Sequence, residues 1–118
     1  MTPSPEPETA LQALARQLQQ FADARDWGPF HSPKNLASAL IVEAGELLEH
    51  FQWLTEDQSR QLTPEQKQAV AHEMADVLLY LVQLSTVLGI DLMDAARTKM
   101  DLNAQKYPVG HSHKIDAL

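Results

Sequence analysis

Glu43-Ala44-Gly45-Glu46 and Glu73-Met74-Ala75-Asp76 each place two carboxylates three residues apart. On a helix that spacing sets both acids on one face, with Cβ atoms about 5–6 Å apart. Their neighbours are apolar: Ala39, Leu40 and Leu47 flank Glu43, Ala69, Val70 and Val77 flank Glu73, and Leu79 and Tyr80 follow Asp76. No Lys or Arg stands three or four residues from any of the four. Two like charges about 5 Å apart repel by roughly 3 kcal/mol at an effective dielectric of about 20. Four grouped acids therefore need either protons or a cation between them. An all-oxygen donor set suits a hard divalent ion, Mg²⁺ or its close substitute Mn²⁺, and such ions often hold substrate phosphates as well. One acidic pair alone is ordinary decoration of a solvated helix face. Two pairs, both beside apolar stripes and both without basic partners, leave a metal site and a solvated face as the competing readings.

Other chemistries fail on the same residues. Glu46 and His50 lie four apart, so the Glu-x-x-His pattern of di-iron bundles is missing. His72-Glu73-Met74-Ala75-Asp76 ends on Asp where a zinc protease helix needs a second His. There is no Walker A loop and no cysteine, which removes P-loop chemistry, disulfides, thiolate zinc sites and Cys nucleophiles. The 118 residues carry 16 Asp and Glu against 9 Lys and Arg, a net charge of -7. That balance disfavours a nucleic-acid polymer, whose binding draws mainly on basic side chains. An anionic small ligand is still acceptable where a cation mediates.

The elements that must carry these acids read as helices. With 44% hydrophobic residues and four glycines, the chain fits one all-α domain, and no stretch alternates as a sheet would. The first helix is expected from about Thr9 to Arg25, with Leu11, Leu14, Leu18, Phe21 and Ala22 on one face. Gly28-Pro29 marks a loop. The second helix starts with Ser32 as N-cap and Pro33 at its first position and is expected to reach about Trp53. A polar connection covers residues 54–62. Thr63-Pro64-Glu65-Gln66 has capping-box form and opens a third helix that stops at Gly89. Asp91 caps a fourth, which ends before Pro108. The third is apolar on more than one face over Val77–Leu88, so it is expected to pack against a second subunit as well as its own chain. The expected architecture is thus a four-helix bundle completed by oligomerisation, as a homodimer or homotetramer. Residues 1–8 hold three prolines and neither part of a secretory signal, which predicts a disordered leader; 109–118 form a tail without signal. No segment has the length of a membrane-spanning helix, and a cytoplasmic protein is expected.

Beyond the acids, a longer pattern emerges. Arg25-Asp26-Trp27-Gly28-Pro29-Phe30-His31-Ser32-Pro33-Lys34-Asn35-Leu36, then Glu43-Ala44-Gly45-Glu46-Leu47, Phe51-Gln52-Trp53, Asp76-Val77-Leu78-Leu79-Tyr80-Leu81 and Lys99-x-x-x-Asn103-x-x-Lys106-Tyr107-Pro108 follow in that order. The set resembles the MazG-like all-α nucleoside triphosphate pyrophosphohydrolases, in particular their dCTP pyrophosphatase branch, over residues 10–108. The resemblance implies Mg²⁺-dependent hydrolysis of a nucleoside triphosphate to the monophosphate and pyrophosphate, with dCTP or a modified dCTP as substrate, in nucleotide-pool house-cleaning. It implies that Glu43, Glu46, Glu73 and Asp76 hold the metal, with Glu43 or Glu46 catalytic. By the same resemblance Trp27, His31, Trp53 and Tyr80 shape the base and sugar pocket. Lys99, Asn103 and Tyr107 reach the triphosphate or sugar, from a neighbouring subunit if not their own.

Plainer roles stand beside these. Trp27 and Trp53 could be core plugs at helix ends, His31 could bond only to backbone, and Tyr80 could pack at an interface. Lys99 could merely complement a helix C-terminus, and Asn103 could be surface. Two broader alternatives also stand: a dUTP or broad-specificity pyrophosphohydrolase, and a non-catalytic helical oligomerisation module whose acids are a polar seam or a structural cation site.

Overall fold

Helix starts in this chain are set by side chains that satisfy the free N–H groups of the first turn. Thr9, Thr55 and Thr63 each accept from the backbone N–H three residues on, and Gln12, Gln58 and Gln66 return a bond to the threonine's own N–H. Ser32 and Asp91 cap two further starts, accepting from Asn35 and Asp94. The computed structural model describes residues 6–110. It has helices α1 (Ala10–Ala24), α2 (Pro33–Glu49), α3 (Glu56–Ser59), α4 (Pro64–Leu88) and α5 (Leu92–Lys106), with a 3-10 turn at Gly28–Phe30. The architecture is all-α, and no strand occurs among the described residues.

Pro33 and Pro64 sit in the first turns of α2 and α4, where a missing N–H costs nothing. Gly89 closes α4 at φ 67, ψ 31, a left-handed conformation that suits glycine. Ile90 then donates back to the Ser85 carbonyl at 2.9 Å. The expected starts at Ser32, Thr63 and Asp91 and the stop at Gly89 all hold. Two details differ. The second helix ends at Glu49 rather than near Trp53, and its continuation unwinds into turns in which Phe51 and Leu54 donate to carbonyls three residues back. The polar connection contains α3, a single turn nucleated by Thr55 and Gln58. The first part of the expected leader (1–5) and most of the tail (111–118), with His111 and His113, lie outside the described residues.

Packing is centred on α4. Helices α1 and α2 both lie against it, and the α2–α4 pair is the principal contact. The buried apolar residues among the described residues are few: Ala22, Leu36, Val70 and Val82. Meanwhile Met74, Leu78, Val87, Leu88 and Ile90 along α4 and its end are exposed. Helix α5 turns from α4 by 102° and has no buried residue. No single described helix is long and apolar enough to cross a membrane.

Candidate active site

The α2–α4 contact brings the two acidic pairs face to face. Glu43, Glu73 and Asp76 each offer a carboxylate oxygen to a group in which all such atoms lie within 4.8 Å of one another. All three are half-buried. Glu43 Oε2 and Glu73 Oε2 are closed off from solvent with no hydrogen-bond partner. The ion pairs among the described residues, Arg16–Glu8, Arg60–Glu56 and Arg60–Asp57, lie elsewhere, so no basic side chain neutralises the group. Glu46, one turn on from Glu43, is outside the three-way cluster but close enough to act on Glu43. The Glu43 carboxyl is pushed up to about 7 from an ordinary value of 4.5, first by sharing a hydrogen bond with Glu46, then by burial, then by Glu73, with the charges of Glu46 and Asp76 adding to it.

Two arrangements satisfy these oxygens. An ionised carboxylate has no proton to donate, so two such oxygens facing each other are both unpartnered. Either Glu43 keeps a proton and donates it across the gap, or a cation fills it. A buried oxygen orphaned in this way costs about 1–3 kcal/mol or more, and a divalent ion bound by several carboxylates removes that cost. The donor set is wholly oxygen, so the group can hold a hard metal ion.

Beside the cluster lies a slot of about 150 Å³, and Asp76 belongs to both. One wall comes from α4, through Leu79, Tyr80 and Gln83; the other carries Trp27 and His31 from the loop after α1. Local bonds hold that loop. The Trp27 N–H donates to the Ala22 carbonyl at 3.0 Å, next to Asp26, whose φ of 56 reverses the chain. The Asn35 amide donates to the Phe30 carbonyl at 3.0 Å and ties the 3-10 turn to the start of α2. Phe21 meets Trp27 edge to face at a centroid distance of 5.5 Å, and the Arg25 guanidinium covers the Phe21 ring at 3.4 Å from its centroid. Trp27 and His31 rings lie 6.0 Å apart at 60°. The indole is 42% exposed, so its ring is held by neighbours yet open to a ligand.

Trp27, His31, Tyr80 and Asp76 are therefore gathered in one place. Trp53 is not: it is 87% exposed and lines neither slot nor cluster. Lys99 and Asn103 on α5, and Tyr107 at its C-terminal cap, line neither as well. A larger cavity of about 480 Å³, between α1 and the α4–α5 corner, shares no residue with the acidic group. Sequence reasoning missed Gln83 and Phe21. Gln83 follows Asp76 and Tyr80 at seven and three residues, the repeat of one helix face, and that spacing was the available signal.

The chain is similar to known proteins along most of its length. It is 45% identical over 105 residues to dCTP pyrophosphatase 1 of Mus musculus, covering 87% of this chain and 62% of that one. To dCTP pyrophosphatase 1 of Homo sapiens it is 42% identical over 104 residues, covering 86% and 61%. The chain thus spans about three fifths of the length of these curated relatives. A pyrophosphatase from Archaeoglobus fulgidus, solved by crystallography, superposes with a TM-score of 0.82 at 37% identity, over 90% of this chain and 99% of that one. The acids, the aromatic loop and the bundle that joins them all fall within these alignments' reach, and the MazG-like family model matches residues 39–117: the chain belongs to the MazG-like family.

Proposed function

We propose that this chain hydrolyses nucleoside triphosphates, dCTP or a modified dCTP foremost, to the monophosphate and pyrophosphate. The observation that carries the reading is Asp76, shared by a carboxylate cluster fit for a cation and an aromatic slot fit for a flat ring. Only a ligand with a polyanion at one end and a planar group at the other uses both. The mammalian relatives' name, dCTP pyrophosphatase 1, supports the base.

Glu43, Glu46, Glu73 and Asp76 would hold Mg²⁺, with Mn²⁺ as a substitute. When bound, the ion supplies the positive charge that lets a triphosphate approach an acidic site, and Lewis acidity toward the phosphoryl group. The chain's own residues do the rest. Trp27, His31 and Tyr80 seat the base and sugar. Glu46, or else Glu43, accepts a proton from the attacking water as its oxygen bonds to the α-phosphorus. The bond from that phosphorus to the bridging oxygen breaks, and pyrophosphate leaves with the electron pair. Attack at the β-phosphorus gives the same products.

Lys99, Asn103 and Tyr107 complete the site from a second subunit in this reading, and Trp53 borders it. Support comes from α5, which has no buried residue and leaves its own bundle, and from the exposed apolar faces of α4. A homodimer or homotetramer covers both. Residues 9–108 form the catalytic domain, and the triphosphate pool it serves is cytoplasmic.

The test is pyrophosphate release from a panel of (deoxy)nucleoside triphosphates with Mg²⁺. dCTP is expected to lead. Glu46→Gln is expected to lose at least about a hundredfold in rate while its helix content and melting are kept. A folded protein that turns over no triphosphate with Mg²⁺ or Mn²⁺ overturns the proposal. Stabilisation by Mg²⁺ alone, with no added effect of nucleotide, would instead identify a helical module with a structural cation.

A further inference from the structure

We propose that Gln83 reads the hydrogen-bonding edge of the base; this rests on the nucleotide reading above and goes beyond it by naming the residue that recognises the base. Asp76, Tyr80 and Gln83 share one face of α4, and all three line the slot. Gln83 stands two turns beyond Asp76, about 10.5 Å along the axis. Along α4 the lining of the slot is therefore polar at both ends: an acid that belongs to the cation cluster at one, a neutral carboxamide at the other, with Leu79 between them in sequence. A nucleotide has the same order: phosphate, sugar and flat ring, then a donor–acceptor edge.

Size and chemistry narrow the ligand. At about 150 Å³ the slot is near the volume that holds one six-membered ring, which favours a pyrimidine. Gln83 is half-buried, and its amide has no hydrogen-bond partner among the described residues. Both its donor and its acceptor are free. A carboxamide presents them in one plane, so it can make a two-point contact. With cytosine, the N4 amino group donates to Gln83 Oε1 while Gln83 Nε2 donates to N3. Turned over, the same amide accepts from uracil N3–H and donates to O4. Gln83 thus rewards a pyrimidine edge as such, and the choice between the two bases falls to other groups.

The experiment compares dCTP with the triphosphate of 2-pyrimidinone deoxyriboside, which lacks only the 4-amino group. The wild type is expected to favour dCTP by about 2- to 13-fold in kcat/KM, the value of the one hydrogen bond the analogue cannot make, since its N3 still accepts from Gln83 Nε2. Gln83→Leu removes both bonds from dCTP and the single N3 bond from the analogue, so it should raise KM for dCTP more than KM for the analogue and bring the preference close to one. Gln83→Glu keeps the shape but removes the donor to N3. It should also raise KM for dCTP, and it guards against a packing defect in the leucine variant. Melting curves confirm that both variants fold. Unchanged preference in both variants, with a wild type that hydrolyses dCTP, overturns this inference and leaves the proposed function standing. A wild type inert toward every triphosphate overturns both.

Discussion

Replacing Glu43 by Gln should stabilise the metal-free protein at pH 8 while abolishing its response to Mg²⁺. The Glu43 carboxyl sits at about 7 in the fold against 4.5 ordinarily, because Glu46, burial and Glu73 all favour its proton. The sign follows from linkage. Below pH 4.5 the group is protonated folded or unfolded, and the fold keeps its full stability. As pH rises toward 7 the unfolded chain releases the proton and the folded chain holds it, so stability is lost progressively. Above 7 the whole penalty is present. The difference between the two values corresponds to an upper bound of about 3 kcal/mol. Water reaching this partly covered group lowers that to about 1–3 kcal/mol.

A glutamine cannot ionise, so Glu43→Gln escapes this penalty. Its melting temperature in EDTA should match the wild type near pH 5 and exceed it by on the order of 5 °C at pH 8. Saturating Mg²⁺ should reverse the order. An ion at a hundred times its dissociation constant stabilises the wild type by about 2.7 kcal/mol, and the variant has lost a central ligand. The wild type should also release a proton on binding Mg²⁺ near pH 7, read by calorimetry in buffers of different ionisation enthalpy. A variant that melts below the wild type at pH 8 in EDTA, with no pH-dependent gap between them, would refute the account of the cluster.

Trp27→Ala should raise KM for dCTP by about 5- to 150-fold, the value of one base stack, with Trp27→Phe recovering much of it; an unchanged KM would return Trp27 to a purely structural role. Mixing two inactive variants, Lys99→Ala and Glu46→Gln, tests whether α5 serves the neighbouring site. Random dimers should regain about a quarter of wild-type activity if it does, and no activity should return if each subunit completes its own site.

What could be read from the sequence, and what could not, follows the range of the forces involved. Ser32 with Pro33, Thr63 with Gln66, and Gly89 act within one turn of chain, and each holds its expected place. Thr55 with Gln58 is the same signal as Thr63 with Gln66, so α3 was equally legible. The end of α2 was not. No glycine stops it, and His50 to Trp53 continue as turns because nothing at their level packs Trp53, which is 87% exposed. The acidic pairs show their pairing at i, i+3, but their division into a close trio and an outlying Glu46 depends on how α2 is rotated against α4. No spacing along one helix contains that angle. The slot is harder still, since its two walls meet only after Trp27 is tied to Ala22 and Asn35 to Phe30. Each of those bonds is local, yet the surface they aim at belongs to a helix some fifty residues away. The same division is visible in α5: its cap at Asp91 is local and formed, while none of its residues is buried. A short-range code can start and stop a rod, but the face that rod presents acquires a meaning only from what lies across it.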